Sequence, residues 1–353
     1  MQQVEILIVG GGIAGLGLAA SLAERRPGRI LLVDREAQPG FYASGHNAAI
    51  ARQLTGRPEH TELTVDGVGR LRDSALLLQA GGLLLEAEAG GLDGLESEAK
   101  EFNVDSSRGS GCPLPGLAAV GHLSTSTDAV IDTDRLLAFC AENARASGVD
   151  LFYGVEVRGI HPSPQGFEVE SSAGTIRADY LVNAAGAWAG RIGELAGGSD
   201  PGMRPLRRHL VWSNAPHPSA FPWAWWADRP FYLRPESGGL LMCPCDETEV
   251  EPPVPHRQPE TDEAVLVSLS TSLRELAPDL SDPPIARLWC GLRTFARDRR
   301  FVIGWDPLNP RLFWVAGLGG HGMTSGLAVA ERAARAFLDR TVDGLSPARF
   351  RVS

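Results

Sequence analysis

Gly10, Gly12 and Gly15 are spaced as G-x-G-x-x-G, and Asp34 follows about 20 residues later. Residues of these types at this spacing bind a dinucleotide. Gly10 permits a tight turn, Gly12 admits a pyrophosphate against the backbone, and Gly15 lets a helix pack close to a strand, while an acid such as Asp34 accepts from ribose hydroxyls. Glycines alone are weak evidence, but the elements that must position them occur in order. Residues 4–9 form an apolar run fit for a buried strand, a helical pattern runs from Ile13 towards Arg25, and residues 30–33 form a second apolar strand ending on Asp34. The helix N-terminus offers free N–H groups and the positive end of its dipole to phosphates. An adenine dinucleotide site is therefore expected at the start of the chain.

The 353 residues can bury a large core and are expected to form two domains. With 33 basic and 43 acidic residues the net charge is −10, which argues against a nucleic-acid partner. Lys100 is the sole lysine and lies in the polar stretch "SEAKEF", so Schiff-base chemistry is not expected. With no signal peptide before the first strand and no apolar run long enough to span a bilayer, a cytoplasmic protein without a transmembrane segment is expected. The five scattered cysteines fit a reducing compartment. Cys243 and Cys245 in "MCPCDE" lack a second cysteine pair or a nearby histidine, so they read as two buried thiols around a proline, and no metal site is expected.

Further along, "DTDRLLAFCAENARASGV" is helical, capped by Asp132 or Thr133, and leads through strand-like segments to "YLVNAAGAW". Residues 204–267 carry short strand-like runs, many prolines and a tryptophan cluster, and read as a mostly antiparallel sheet. A helical stretch at 262–276, three strands and a final helix at 323–338 complete the chain. The expected fold is α/β, with an α+β substrate domain. Residues 1–77, 132–197 and 290–353 build a Rossmann-like nucleotide domain from discontinuous segments, and 78–131 and 198–289 a mostly antiparallel substrate domain. There is no second glycine fingerprint, no C-x4-C redox pair and no run of βαβ repeats. That combination points to FAD, with an organic substrate as the electron donor.

Long segments in order, "REAQPGFYASGHNAA", "YLVNAAGAWAGRIGELAG", "PLRRHLVW", "FYLRPESGGLLM", "GLRTF" and "LFWVAGLGGHGMTSG", resemble the D-amino-acid oxidase/glycine oxidase family of FAD enzymes, most nearly its bacterial D-arginine dehydrogenases. The resemblance implies that Ala14 joins the glycines of the fingerprint and that Asp34 and Arg35 hold the adenosine side. It further implies that Ser44, Gly45, Asn47, Ala48 and Ala49 run past pyrophosphate and flavin, with Gly186 beside them, and that the backbone of Val157 meets the adenine. Gly319, Gly322, Met323 and Thr324 would cradle the flavin's pyrimidine edge at a helix start, whose dipole favours negative charge.

The same resemblance makes Arg208, Tyr232 and Arg293 a clamp for a substrate α-carboxylate, a task that suits the planar guanidinium fork, and gives the amine to the carbonyl of Gly320. Arg207, Arg297, Arg299 and Arg300 read as solvated background. His321, in the flavin segment, is a catalytic candidate that could tune the flavin or help to deprotonate the substrate ammonium. A histidine satisfied by hydrogen bonds is its simpler reading, since the direct hydride transfer from a neutral amine that the resemblance implies needs no dedicated base. The sequence departs from the D-arginine pattern where Ile50, Thr55 and a glycine near Gly82 replace the polar and acidic side-chain contacts, unless Glu86 or Glu88 substitutes. Trp223 and Trp225 share one face of a strand and either line the pocket or form core beneath a lid.

The expected reaction is oxidative deamination of a D-amino acid or related amine with an apolar, aromatic or small side chain, reoxidised by oxygen or a quinone. The alternatives are oxidation of a 2-hydroxy acid, with His321 as base, and a flavin-bearing subunit of a larger complex, for which exposed tryptophans would serve as anchors.

Overall fold

The structure, a computed structural model, describes residues 2–26, 28–215 and 221–350. Within them the chain forms two sheets, one of eight strands and one of ten. In the eight-stranded sheet, Leu312–Ala316, Gly174–Asn183, Gln2–Val9, Ile30–Asp34 and Asp150–Tyr153 lie side by side and parallel. Alternation along Gln2–Val9 sends Ile6 and Ile8 to one face and Leu7 and Val9 to the other. The first face is covered by the helices Ile13–Arg25, Thr133–Ala146 and Gly322–Asp339 through Leu16, Leu136, Ala333 and Phe337. The second packs on Val169, Ala189 and Ile192. A parallel sheet buried on both faces is why its strands are apolar throughout rather than alternating. Asp132 caps the second of these helices, accepting from the Arg135 N–H at 3.0 Å.

The first strand turns into its helix at Gly10, whose φ is +114°. A Cβ there would lie 2.3 Å from the carbonyl oxygen of Ala184, so only glycine fits the turn.

The ten-stranded sheet is mostly antiparallel, as expected, with one parallel junction where Trp223–Trp226 runs beside Leu77–Glu86. Two stretches cross the expected domain limits. Ile50–Ala51 pairs with Ala129 and Val130, so part of 1–77 belongs to this sheet, and the cut between 289 and 290 falls inside the single strand Ile285–Phe295. Among the described residues no helix is long and apolar enough to cross a membrane.

His60 is buried in the helix Pro58–Asp73, stacked on Phe301 with centroids 4.2 Å apart, and neither ring nitrogen has a partner. Burial brings its pKa down to about 4. Unfolded, the ring titrates near 6.5, so as pH falls the unfolded chain takes the proton first. Stability is therefore full above about pH 6.5 and is lost from there down through about 4, by roughly 3 kcal/mol. Replacing His60 by Phe keeps the stack and removes the titration. The variant's melting temperature is expected to fall less than the parent's between pH 7 and 4.5; equal falls would place the acid sensitivity elsewhere.

Candidate active site

Two chambers of about 400 and 440 Å³ share Gly12, Ala43, Ser44, Ala184, Gly186 and Leu292 as walls, so they form one elongated cleft. One chamber is lined by Val33, Asp34, Arg35, Val155, Val157 and Trp188. Asp34 is fixed at its wall by two backbone donors, Gly11 N–H at 2.5 Å and Glu36 N–H at 2.8 Å, and burial raises its pKa. The Arg35 guanidinium lies over the Trp188 ring at 3.9 Å and contacts Tyr42 and Glu36. Ser44 reaches back to accept from the Ile13 N–H at 3.1 Å. Asn47 braces its own loop, donating to the Ser44 carbonyl and accepting from the N–H of Ala49, which has φ of 55°.

The second chamber holds Ala14, Asn47, Ala48, Ala49 and Ile50, the clamp residues Arg208, Tyr232 and Arg293, and the turn with Gly319, Gly320, His321, Gly322, Met323 and Thr324. Gly15 and Gly45 stand behind the walls, each pressed against a backbone carbonyl, of Gly10 and Gly40 respectively. Their role is close packing rather than contact with a ligand.

The clamp follows from sheet register. Arg208 lies opposite Gly291 on the neighbouring antiparallel strand, so Arg293, two residues on, is its diagonal neighbour on the same face. Tyr232 lies on another strand of this sheet, its hydroxyl bonded to the Cys243 sulfur and its ring stacked on Trp225 at 4.3 Å. Burial, then the charge of Arg208, brings the Arg293 pKa down to about 10, so it stays cationic at neutral pH. The sequence reading missed Glu247. Its carboxylate pairs with Arg208 at 3.3 Å, with Arg293, and with Arg299 at 2.9 Å, occupying the fork where an incoming carboxylate would bind. Burial would raise its pKa, but the Arg299 hydrogen bond and the other two guanidiniums hold it below the ordinary range. Arg299, expected to be background, thus belongs to the site's charge network. Of the two thiols expected to be buried, Cys243 is, 3.8 Å from Arg208, whereas Cys245 is half-buried and lines the cavity.

His321 ends the glycine turn and caps the helix Gly322–Asp339 through its backbone, with the Ser325 N–H donating to its carbonyl. Burial, then Arg52, His60 and Arg293, push its pKa well below the usual value. It is a neutral imidazole that resists taking a proton.

Several expected pocket residues lie elsewhere. Thr55 faces Thr61 and the Arg57 carbonyl, outside the cavity. Trp223 is fully buried among Leu54, Leu84, Leu92 and Leu123. It fills the slot left by Gly82, where a Cβ would come within 2.2 Å of its ring. Glu86 is buried against Arg108 and the Leu92 N–H, and Glu88 pairs with Arg229, so neither supplies an acid to the cavity wall. Arg52, also missed, does line it, over the Trp225 ring at 4.0 Å. Strand alternation was the available signal: if Ile50 faces the cavity, so does Arg52, whereas Thr55 is out of phase. Trp223→Ala is expected to cost about 3–5 kcal/mol of stability. Trp225→Ala should cost less stability and instead raise KM. Denaturant titration and steady-state kinetics on the pair check this; indistinguishable unfolding curves would contradict the assignment.

A cleft with an acid and a glycine-rich strand–helix turn along one chamber, and a second glycine turn facing two arginines and a tyrosine in the other, suits an oxidoreductase that holds a dinucleotide beside a small substrate. The chain matches the FAD dependent oxidoreductase family (DAO) over residues 5–336 and belongs to it. It is 26% identical to glycine oxidase of Geobacillus kaustophilus (strain HTA426), over 94% of this chain and 93% of that one. Its fold is similar to L-proline dehydrogenase from P. horikoshii, with a TM-score of 0.86 at 21% identity, covering 99% of this chain and 98% of that one. It is also similar to L-amino acid deaminase from Proteus vulgaris, with a TM-score of 0.84 at 16% identity and coverage of 99% and 98%. These likenesses bear out the family resemblance without singling out D-arginine dehydrogenases.

The cofactor is FAD. The cleft fits it: its two chambers are continuous through shared walls, Gly12 is bare where they join, and the helix beginning at Gly322 carries no acid in its first turn to repel negative charge.

Proposed function

We propose that this protein oxidises the C–N bond of an amino acid or related secondary amine to an imino acid, which water hydrolyses to the keto acid. The observation that carries the reading is the convergence of Arg208, Arg293 and Tyr232 on the chamber that also holds Gly12 and the Gly319–Gly322 turn. When bound there, FAD supplies a two-electron acceptor. Arg208 and Arg293 hold the α-carboxylate, displacing Glu247, and the Gly320 carbonyl accepts from the amine. The surrounding guanidiniums disfavour an ammonium, so the amine reacts in its neutral form without a dedicated base. A 2-hydroxy acid fits less well, because its hydroxyl proton needs a base, and burial together with Arg52 and Arg293 makes His321 a poor proton acceptor.

The D configuration is our expectation from the clamp motifs. The names of the similar proteins include glycine, L-proline and L-amino acids, so the test must carry both enantiomers. Reoxidation by oxygen or a quinone, and a reducing compartment, in keeping with five free cysteines, complete the reading. Anaerobic flavin bleaching with glycine, sarcosine, proline, D- and L-amino acids and 2-hydroxy acids tests it. Amino acids or secondary amines should bleach the flavin and 2-hydroxy acids should not. D-arginine and D-lysine should be poor substrates, since Arg52 repels a cationic side chain and Glu247, the carboxylate on this wall, stays paired with Arg299. Bleaching by 2-hydroxy acids alone would overturn the proposal.

A further inference from the structure

The cation Arg52 has no visible task in that chemistry. Among the described residues it makes no ion pair, its Nε is buried without a partner, and the half-buried side chain lines the cavity. The buried carboxylate of Asp128 takes its hydrogen bonds from the Gln53 N–H at 2.9 Å, the Gln53 side-chain amide at 3.0 Å and the Thr125 hydroxyl at 2.6 Å, and it and Glu98 attract Arg52 only through space. Glu247 is taken by Arg208, Arg293 and Arg299. What Arg52 does have is the face of Trp225. A desolvated cation–π contact is worth about 2 kcal/mol, whereas removing a charge from water costs several. Burial accordingly lowers its pKa. A cation left in this state at a cavity wall is a receptor for an anion.

Topology separates it from the clamp. Arg52 follows Ile50–Ala51, the terminal strand at one end of the ten-stranded sheet, whereas Arg208 lies on the second strand from the other end. The sheet curls so that both reach one cavity. Between them run Trp225, stacked on Tyr232, and then Cys243 beside Arg208. A carboxylate in the clamp therefore leaves Arg52 free for another group.

We infer that the preferred substrate carries a second anionic group, bound by Arg52, making it an amino or imino dicarboxylate rather than an apolar amino acid. This rests on the amine-oxidising reading above and adds to it the chemistry of the substrate's far end. The aromatic surface expected to favour apolar side chains is reduced to Trp225, and Arg52 covers its ring.

The test compares acids with their isosteric amides on the FAD-loaded enzyme. Aspartate against asparagine, glutamate against glutamine and iminodiacetate against its monoamide are scored by kcat/KM for anaerobic flavin reduction, with both enantiomers of the chiral pairs. The acid-to-amide ratio is expected to exceed about 30 in the parent. It should fall to near unity in Arg52→Gln and be partly kept in Arg52→Lys. As a binding readout without turnover, succinate should perturb the flavin spectrum at least about 30-fold more tightly than butyrate, and Arg52→Gln should erase the difference. Acids no better than amides, or Arg52→Gln weakening acid and amide alike, would overturn the inference while leaving amine oxidation standing. Reduction by no amine at all would overturn both.

Discussion

Arg293→Lys is expected to lower kcat/KM by roughly 30- to several-thousand-fold while FAD stays bound. The substitution keeps the charge and most of the apolar stem but loses the planar fork that meets a carboxylate with two parallel hydrogen bonds. Truncating one partner of a desolvated, hydrogen-bonded charge pair costs on the order of 2–5 kcal/mol, which sets that range. Arg208 remains to catch one carboxylate oxygen, so substrate still enters but is held less rigidly. The loss should fall on kcat as well as KM, because orientation over the cofactor degrades together with affinity. Glu247, which pairs with both clamp arginines and with Arg299, retains its other two contacts and keeps the strand ends in place. Steady-state kinetics with the best substrate from the bleaching panel, alongside the flavin-to-protein absorbance ratio, checks both halves. Normal turnover by the lysine variant would remove Arg293 from the clamp.

Gly12→Val is expected to yield a folded protein without FAD. Gly12 has φ −81°, an ordinary value for any residue, and a Cβ there meets only the Ser44 hydroxyl at 3.0 Å. The fold therefore tolerates a side chain, unlike Gly10 with its positive φ or Gly15 with the Gly10 carbonyl 1.9 Å from a built Cβ. Gly12 lines both chambers, however, so two added methyls stand in the passage a pyrophosphate must thread. The variant should purify colourless, with unchanged far-ultraviolet circular dichroism and a lowered melting temperature that added FAD does not restore. A yellow variant with full flavin content would contradict the cleft assignment.

The nucleotide half was legible in the sequence because its determinants are local. A strand, a turn that only glycine can make at Gly10, a helix and a second strand ending on Asp34 are fixed by residues within one βαβ unit, and their periodicities report that directly. Arg208 and Arg293 were found from the motifs around them, although no local rule relates two residues so far apart in sequence. Register across the strands Arg204–Ser213 and Ile285–Phe295 places them diagonally on one face.

What only the tertiary structure decided is the far side of the pocket. Alternation told that Trp223 and Trp225 share a face but not how far along the strand the cavity extends. The missing side chain of Gly82, on a parallel neighbour, opens the slot that takes Trp223 into the core and leaves only Trp225 at the wall. Arg52 and Glu247 carry no motif that sets them apart in the sequence, and solvent exposure is the usual fate of such residues. Whether a charge ends in water or faces a cavity depends on which distant strands curl around it and which countercharges they consume. Here the curl of the ten-stranded sheet brings Arg52 to the clamp's cavity, while Glu247 and Asp128 are committed to other partners.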